Sequence, residues 1–267
     1  RAGATTYRKV MDYFTPKFML GMSATPERND EIDIFELFDY NIAYEIRLQG
    51  ALEQEMIAPF HYYGLTDIEV DGELINENTH QMALVSEDRV AHIIEKMKYY
   101  GHDGERVKGL IFCGKNNKTR NRVAQSLSEE MNRQGLRTLA LLGNSTQQER
   151  EDAIHRLVQK GELDYIITVD IFNPEINQIV MVRPTESAII FVQQLGRGLR
   201  LHKSKDYVVV LDFIGNYKNN FMIPIALSGD RSYSRDTLTK YVYEGTSILP
   251  GVSSVEFDRV AKEKIFE

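Results

Sequence analysis

The amino-acid sequence predicts an α/β fold in which a parallel β-sheet is covered by helices on both faces. Between about residue 60 and residue 216, short apolar runs alternate with amphipathic segments at the spacing of strand–helix–strand units. The apolar runs are nearly continuous, which is typical of strands buried on both faces. A chain of 267 residues with 42% hydrophobic residues is also long enough to bury such a core.

The first part of the chain is predicted to form short elements. A helix is expected over residues 6–14, because Thr6 can cap it and apolar residues recur on one face. An apolar run predicts a strand over residues 17–22. One strand cannot satisfy its backbone hydrogen bonds alone, so we expect this region to be a fragment of a larger lobe. The elements predicted next are a strand over residues 42–48, a helix over 51–56 and a β-prone segment over 60–70.

Helix signals are strongest in the alternating region. Ser86 can cap a helix over residues 86–100, in which apolar residues recur at positions i, i+3, i+4 and i+7. Thr146 and Glu149 form a capping box that opens a helix over residues 146–159. The other predicted elements are strands over residues 107–113, 137–142, 165–171, 176–182 and 207–213, and helices over 117–134 and 187–195.

The alternation stops after residue 215. Residues 230–251 are predicted to be loop-like, and Ser253 with Glu256 suggests a second capping box that opens a helix over residues 253–265. We therefore expect four regions along the chain. They are the C-terminal part of a first lobe at residues 1–40, a connector at 41–59, a complete lobe at 60–216 and the start of an additional domain at 217–267.

Composition excludes several classes of protein. One cysteine rules out a disulfide scaffold and a thiolate metal site, and it fits a reducing, cytoplasmic protein. The apolar runs are too short to span a bilayer and the sequence does not open with a secretory signal pattern, so no membrane partner is expected. The net charge of −7 does not indicate a nucleic-acid binder, but such proteins use local basic surfaces.

The most informative segment is Gln193-Gln194-Leu195-Gly196-Arg197-Gly198-Leu199-Arg200. Arg197 and Arg200 are three residues apart, so on a helix they can converge on one target. Guanidinium groups are always charged and bind phosphate oxygens as a planar fork, so the pair suits a polyphosphate. The alternative is a pair of solvated surface arginines.

This segment resembles motif VI of superfamily 2 helicases, Gln-x-x-Gly-Arg-x-x-Arg, at Gln193, Gly196, Arg197 and Arg200. Other motifs of that family follow in the expected order over residues 1–216. Ser23-Ala24-Thr25 resembles motif III, residues 110–113 resemble motif IV, and residues 167–170 resemble the start of motif V. The amino-acid sequences of residues 1–3, 58–64 and 211–216 are similar to those of bacterial DEAD/DEAH-type DNA helicases related to restriction-enzyme motor subunits.

The resemblance implies a mechanism. In such proteins two RecA-like lobes hold ATP and Mg²⁺ between them and move on DNA, and the N-terminal half of the same protein supplies the phosphate-binding loop and the acidic Mg²⁺ box. It implies that Arg197 and Arg200 are arginine fingers and that Gln193 and Gly196 contact the nucleotide. The remaining roles are coupling at Ser23, Ala24 and Thr25, and nucleic-acid contact at Thr168, Gly114, Lys115 and Asn116.

Two departures from the family pattern stand out. Motif V normally continues as Gly-x-Asp, whereas here Asn173 runs directly into Pro174, so we expect a segment to be missing between them. The sequence also has no phosphate-binding loop or acidic Mg²⁺ box. Residues 109–116 nearly fit the phosphate-loop pattern, but their apolar middle predicts a buried strand and Asn116 lacks the hydroxyl that binds Mg²⁺. We therefore expect the chain alone not to hydrolyse ATP.

Other functions remain open at this stage. An RNA helicase of the same superfamily is the nearest alternative, although RNA helicases of the DEAD-box type usually have His-Arg where this chain has Gln193-Gln194. A non-catalytic module that binds nucleic acid is the second alternative, and it would bind strands in a salt-dependent way without responding to ATP. Asp212, at the end of a predicted strand, is a candidate polar anchor of unassigned role.

Overall fold

The computed structural model describes most of the chain and divides it into two compact units. The units are Arg1–Arg47 and Leu48–Glu267, and each is described by itself. The described residues are 5–22, 35–70, 72–75, 79, 83–113, 118–168, 175–182, 188–214, 220–228, 234–244 and 249–266.

The smaller unit contains helix α1 (Thr5–Tyr13) and a 3₁₀ turn at Glu36–Phe38. Helix α1 confirms the helix predicted over residues 6–14. The strand predicted over residues 17–22 is wrong, because these residues have no strand partner among the described residues of the unit. Apolar side chains of this segment stay exposed, and Met22 is 91% exposed. The strand predicted over residues 42–48 is also wrong, since residues 42–47 pair with no strand and Leu48 opens a helix.

The larger unit is built on a seven-stranded sheet whose neighbouring strands all run parallel. Along the sheet the strand order is β5-β6-β4-β7-β8-β1-β9, and strands β2 and β3 form a separate antiparallel pair. The strands are β1 (Phe60–Thr66), β2 (Glu69–Val70), β3 (Glu73–Leu74), β4 (Gly109–Phe112), β5 (Thr138–Ala140), β6 (Tyr165–Ile167), β7 (Gln178–Met181), β8 (Val208–Ile214) and β9 (Ser254–Phe257).

Helices pack on both faces of this sheet, as predicted. Alternate residues of β8 define the two faces, since Val208 and Val210 belong to one core and Val209 and Leu211 to the other. Helices α3 and α4 cover the second core, and the helices from α5 onward cover the first. The helices are α2 (Leu48–Glu53), α3 (Glu87–Tyr100), α4 (Lys118–Arg133), α5 (Gln147–His155), α6 (Ala188–Gly198), α7 (Met222–Ser228), α8 (Arg235–Glu244) and α9 (Arg259–Phe266).

The helix starts agree with their sequence signals. The Thr146–Glu149 capping box is present in both directions at the start of α5. Ser86 is the N-cap residue of α3, but its hydroxyl donates to the Ala83 carbonyl and accepts no hydrogen bond from a helix amide. After α5 the chain continues as a π-helical turn, Arg156–Lys160, where an α-helix was predicted to extend.

The C-terminal segment corrects two predictions. Residues 230–251 were expected to be loop-like but include helix α8. The helix predicted over residues 253–265 is instead β9 followed by α9, because Val255 and Phe257 alternate into the core as β9 pairs with β1. The Ser253 hydroxyl accepts from the Phe60 amide, and Asp258 provides the N-terminal cap of α9 by accepting from the Ala261 amide at 2.7 Å. The sheet therefore continues through the boundary expected between residues 216 and 217.

A buried ion pair ties together the carboxyl ends of two strands. Arg89 donates from Nη2 to Asp67 Oδ2 at 2.7 Å and to the Val182 carbonyl at 2.5 Å, and from Nη1 to the Leu84 carbonyl at 2.7 Å. The side chains of Arg89 and Asp67 are 1% and 0% exposed. Asp67 directly follows β1 and Val182 directly follows β7, so the first turn of α3 is fixed to both strands.

Breaking this pair should destabilise the chain strongly. Arg89→Met leaves the Asp67 carboxylate buried without its cation, which costs about 3–5 kcal/mol of unfolding free energy. Urea denaturation of the chain measures the loss. The control is Glu244→Gln, which removes a surface pair with Lys240 whose side chains are 52% and 68% exposed and should change stability by less than about 0.5 kcal/mol. Equal losses of unfolding free energy in the two variants would contradict the stabilising role of the buried Arg89–Asp67 pair.

Candidate functional site

Helix α6 has two sides, one that packs against the sheet and one that faces away from it. Phe191, Gln194, Leu195 and Gly198 are buried at helical spacing against the first core. Gly198 allows a close approach, because a β-carbon there would lie only 2.6 Å from Ile179 Cδ1 on β7. The sheet-facing side of α6 is therefore fixed by packing.

The residues that resemble motif VI lie on the other side of α6. Gln193 and Gly196 are exposed, Arg197 is half-buried, and Arg200, just after the helix ends, is exposed. Their spacing of i, i+3, i+4 and i+7 places them on one face. A β-carbon built at Gly196 would have no atom within 4 Å, so the surface beside the arginines is open. The structure thus places Gln193, Gly196, Arg197 and Arg200 on one side of the C-terminal half of α6 and the residues that directly follow it.

The arginine-bearing end of α6 lies at the amino edge of the sheet. The Leu199 carbonyl accepts a hydrogen bond from the Ala58 amide at 2.7 Å, and Ala58 lies two residues before β1 begins. Gly198 lies beside Ile176, which precedes β7 by two residues. Helix α6 therefore runs antiparallel to the strands and ends where they begin.

One candidate nucleic-acid residue, Thr168, lies at the opposite, carboxyl edge of the sheet. Thr168 directly follows β6, is 2% exposed, and its amide donates to the Ile111 carbonyl on β4 at 2.9 Å. Gly114, Lys115 and Asn116 follow β4, and Ser23, Ala24 and Thr25 belong to the smaller unit, but both groups lie outside the described residues. From β4 the chain passes to β5 on one side and later to β7 on the other, and in parallel sheets ligands bind at such a switch point, outside the carboxyl ends.

A buried polar pair lies beneath α6. The Tyr62 hydroxyl donates to Asp212 Oδ2 at 2.8 Å, and the Tyr62 ring meets Phe191 of α6 edge-on with centroids 5.9 Å apart. Burial raises the pKa of Asp212 to about 7, and the hydrogen bond from Tyr62 opposes part of this increase. Asp212 is thus a buried carboxyl group that is hydrogen-bonded to Tyr62 in the core beneath α6.

Two further structural findings bear on ligands. Among the residues that the structure describes, no group of three histidine, cysteine, aspartate or glutamate side chains could hold a metal ion. No helix in the described ranges is both long enough and apolar enough to cross a membrane.

Known proteins resemble this chain. Residues 88–202 match the helicase conserved C-terminal domain. The chain is 26% identical over 248 residues to the Saccharomyces cerevisiae protein named "Putative ATP-dependent helicase IRC3", covering 86% of this chain and 35% of that protein. It is 21% identical over 214 residues to the "51.5 kDa protein" of a Lactococcus phage, covering 78% and 46%. The chain thus spans less than half the length of either relative.

A solved structure shares the fold. It is described as a fragment of a "putative HsdR subunit of a type I restriction enzyme" from Vibrio vulnificus YJ016, with a TM-score of 0.57, 21% identity, and coverage of 78% of this chain and 42% of that one. Residues 88–202 therefore resemble the conserved C-terminal domain of helicases, in agreement with the motifs in the sequence, and the chain shares the fold of this solved fragment.

The buried carboxyl predicts a pH dependence of stability. The pKa of Asp212 is raised to about 7 in the folded chain, whereas an unfolded aspartate titrates near ~3.9. Between these two pH values the folded chain holds a proton that the unfolded chain has released. The resulting contribution to the free energy of unfolding is present at low pH and is lost as the pH rises through 7. Asp212→Asn cannot ionise and should remove about 2–3 kcal/mol of the difference in stability between pH 5 and pH 8.

Urea denaturation at the two pH values measures this effect. The matched control is Asp236→Asn, an exposed aspartate in the first turn of α8, which should follow the parent at both pH values. Parallel pH dependences for the parent and Asp212→Asn would contradict the assignment.

Proposed function

We propose that the protein is an ATP-dependent helicase or translocase that acts on DNA, and that this chain supplies its arginine fingers. One observation supports the proposal above the others. Helix α6 packs against the sheet on one side and presents Gln193, Gly196, Arg197 and Arg200 on the other. Such a rigid support with an exposed cationic end suits a polyphosphate held by another part of the protein.

The chemistry of the proposal is electrostatic. During transfer of the γ-phosphoryl group, negative charge spreads over the phosphoryl oxygens, and Arg197 and Arg200 would donate hydrogen bonds to them. Arginine fingers contribute a factor of about 10³–10⁵ in rate, or about 4–7 kcal/mol. Gln193 would hydrogen-bond the nucleotide, and Gly196 would leave room for its approach.

The rest of the active site would lie on a first lobe. That lobe would hold the phosphate-binding loop and the ligands of Mg²⁺. Residues 1–40 would belong to the first lobe and residues 41–59 would connect the lobes. Ser23, Ala24 and Thr25 would couple the nucleotide site to the nucleic acid. A single cysteine also favours a cytoplasmic location.

Nucleic acid would bind at the carboxyl edge of the sheet. Strand β4, which precedes Gly114, Lys115 and Asn116 in the sequence, and strand β6, which precedes Thr168, are neighbours in the sheet. Because the Thr168 side chain is buried, its part would be to shape the backbone there. Contacts of this kind go to phosphates and position the strand without reading its sequence.

Removing an arginine finger should abolish turnover and leave binding intact. In a protein that joins this chain to its first lobe, Arg200→Ala should lower nucleic-acid-stimulated ATP hydrolysis by about 10³-fold or more. Equilibrium binding of a fluorescent nucleotide should persist. The matched control is Arg133→Ala, an arginine at the C-terminal end of helix α4 with 74% of its side chain exposed. Turnover retained by Arg200→Ala would exclude the finger role.

The proposed substrate is DNA, because Gln193-Gln194 stands where RNA helicases of the DEAD-box type have His-Arg. Stimulation of ATP hydrolysis by matched single-stranded DNA and RNA of one sequence, at one salt concentration, tests this choice. We expect DNA to give the larger stimulation. Stronger stimulation by RNA would favour an RNA helicase, and salt-dependent strand binding without any response to ATP would favour a non-catalytic module.

A further inference from the structure

A buried lysine holds the end of the helix that bears the arginines. Lys205 is only 7% exposed, and its Nζ donates to the Gly198 carbonyl at 2.5 Å and to the Ile176 carbonyl at 2.7 Å. Gly198 is the last residue of α6, where helix carbonyls have no partner within the helix and where a cation is favoured by the helix dipole. Lys205 therefore caps α6 and joins it to the segment leading into β7.

The surroundings of Lys205 fix it in place. Burial lowers the pKa of Lys205 to about 8; the carboxylates of Asp103 and Glu175 oppose this shift, and Lys108 adds to it. Lys108 is itself paired with Glu175 at 2.6 Å. Asp103 accepts hydrogen bonds from the amides of Asp206 and Tyr207, directly after the lysine. The backbone next to Lys205 is thus held by hydrogen bonds to the Asp103 side chain.

We propose that Lys205 is a positioning residue for the ATPase reaction, which sets the direction of Arg197 and Arg200 by fixing the backbone between them. The inference rests on the proposed function. Lys205 holds the carbonyl of Gly198 and Ala58 holds that of Leu199, so the two residues that separate the arginines are both anchored to the sheet edge. A displacement of about 1 Å at such a site costs on the order of 10²-fold in rate.

The chain contains a matched comparison for this role. Arg106 Nη2 donates to the carbonyls of Leu157 and Val158 at 2.6 and 2.5 Å, in the π-helical turn after α5. It is also a partly buried cation on helix carbonyls, but that helix bears no residue of the candidate site. Loss of Arg106 should therefore affect folding without affecting the arginine fingers.

The first test compares the kinetics of Lys205→Met and Arg106→Met in a protein that joins this chain to its first lobe. Lys205→Met should lower kcat of the stimulated ATPase by about 10²-fold, with KM for ATP within about 2-fold of the parent, since ATP binding rests mainly on the first lobe. Arg106→Met should keep the parent kcat. Parent-like kcat in Lys205→Met, or equal losses in both variants, would overturn the inference.

The second test needs no activity and uses this chain alone. Hydrogen exchange of the backbone amides at residues 195–201 should become faster in Lys205→Met, while those of α5 stay as in the parent. Lys205→Gln keeps a hydrogen-bond donor on a shorter side chain, so its exchange rates should increase less. This variant replaces Lys205→Met in the test if Lys205→Met does not fold. Unchanged exchange in the variants would overturn the anchoring role, whereas an inactive parent protein with faster exchange in the variants would overturn only the proposed function.

Discussion

The close packing of α6 on β7 is the constraint on which the rest of the site depends. Gly198 lets the helix lie against Ile179 where any β-carbon would collide, and Phe191 and Leu195 bury the same side. Because that side packs against the core, the motif VI residues on the opposite side of the helix face away from the sheet. This packing leaves Arg200 exposed and Arg197 half-buried, and the rigid helix restricts the backbone that carries both side chains.

Buried or partly buried cations make different contacts at the two edges of the parallel sheet. At the amino edge, cations close the ends of helices, as Lys205 does for α6 and Arg106 for the turn after α5. At the carboxyl edge, Arg89 and Asp67 hold the ends of β1 and β7. The arginine-bearing end of α6 and Thr168 thus lie at opposite edges of the sheet. Lys205 resists movement of α6 relative to the sheet, because it donates to the Gly198 carbonyl at the end of the helix and to the Ile176 carbonyl before β7.

The sequence predicted the local and periodic features and missed those that depend on distant partners. The helix at residues 86–100 and the Thr146 capping box are local patterns, and both are present. The predicted helix at residues 253–265 failed because its first residues pair with β1, which lies almost 200 residues earlier in the chain. The candidate residues Gln193, Gly196, Arg197 and Arg200 were identified by their resemblance to motif VI. Arg89 and Lys205 were not, since an isolated cation in a polar stretch is typical of a surface, and only the fold shows that both are buried.

We propose that this chain acts on ATP held by another part of the protein. The decisive measurement is steady-state ATP hydrolysis by this chain alone and by the chain joined to its first lobe, each with and without single-stranded DNA. We expect no turnover by the chain alone, and turnover by the joined protein that DNA accelerates. Hydrolysis by the chain alone would exclude the proposal, and so would a joined protein that binds DNA but does not hydrolyse ATP.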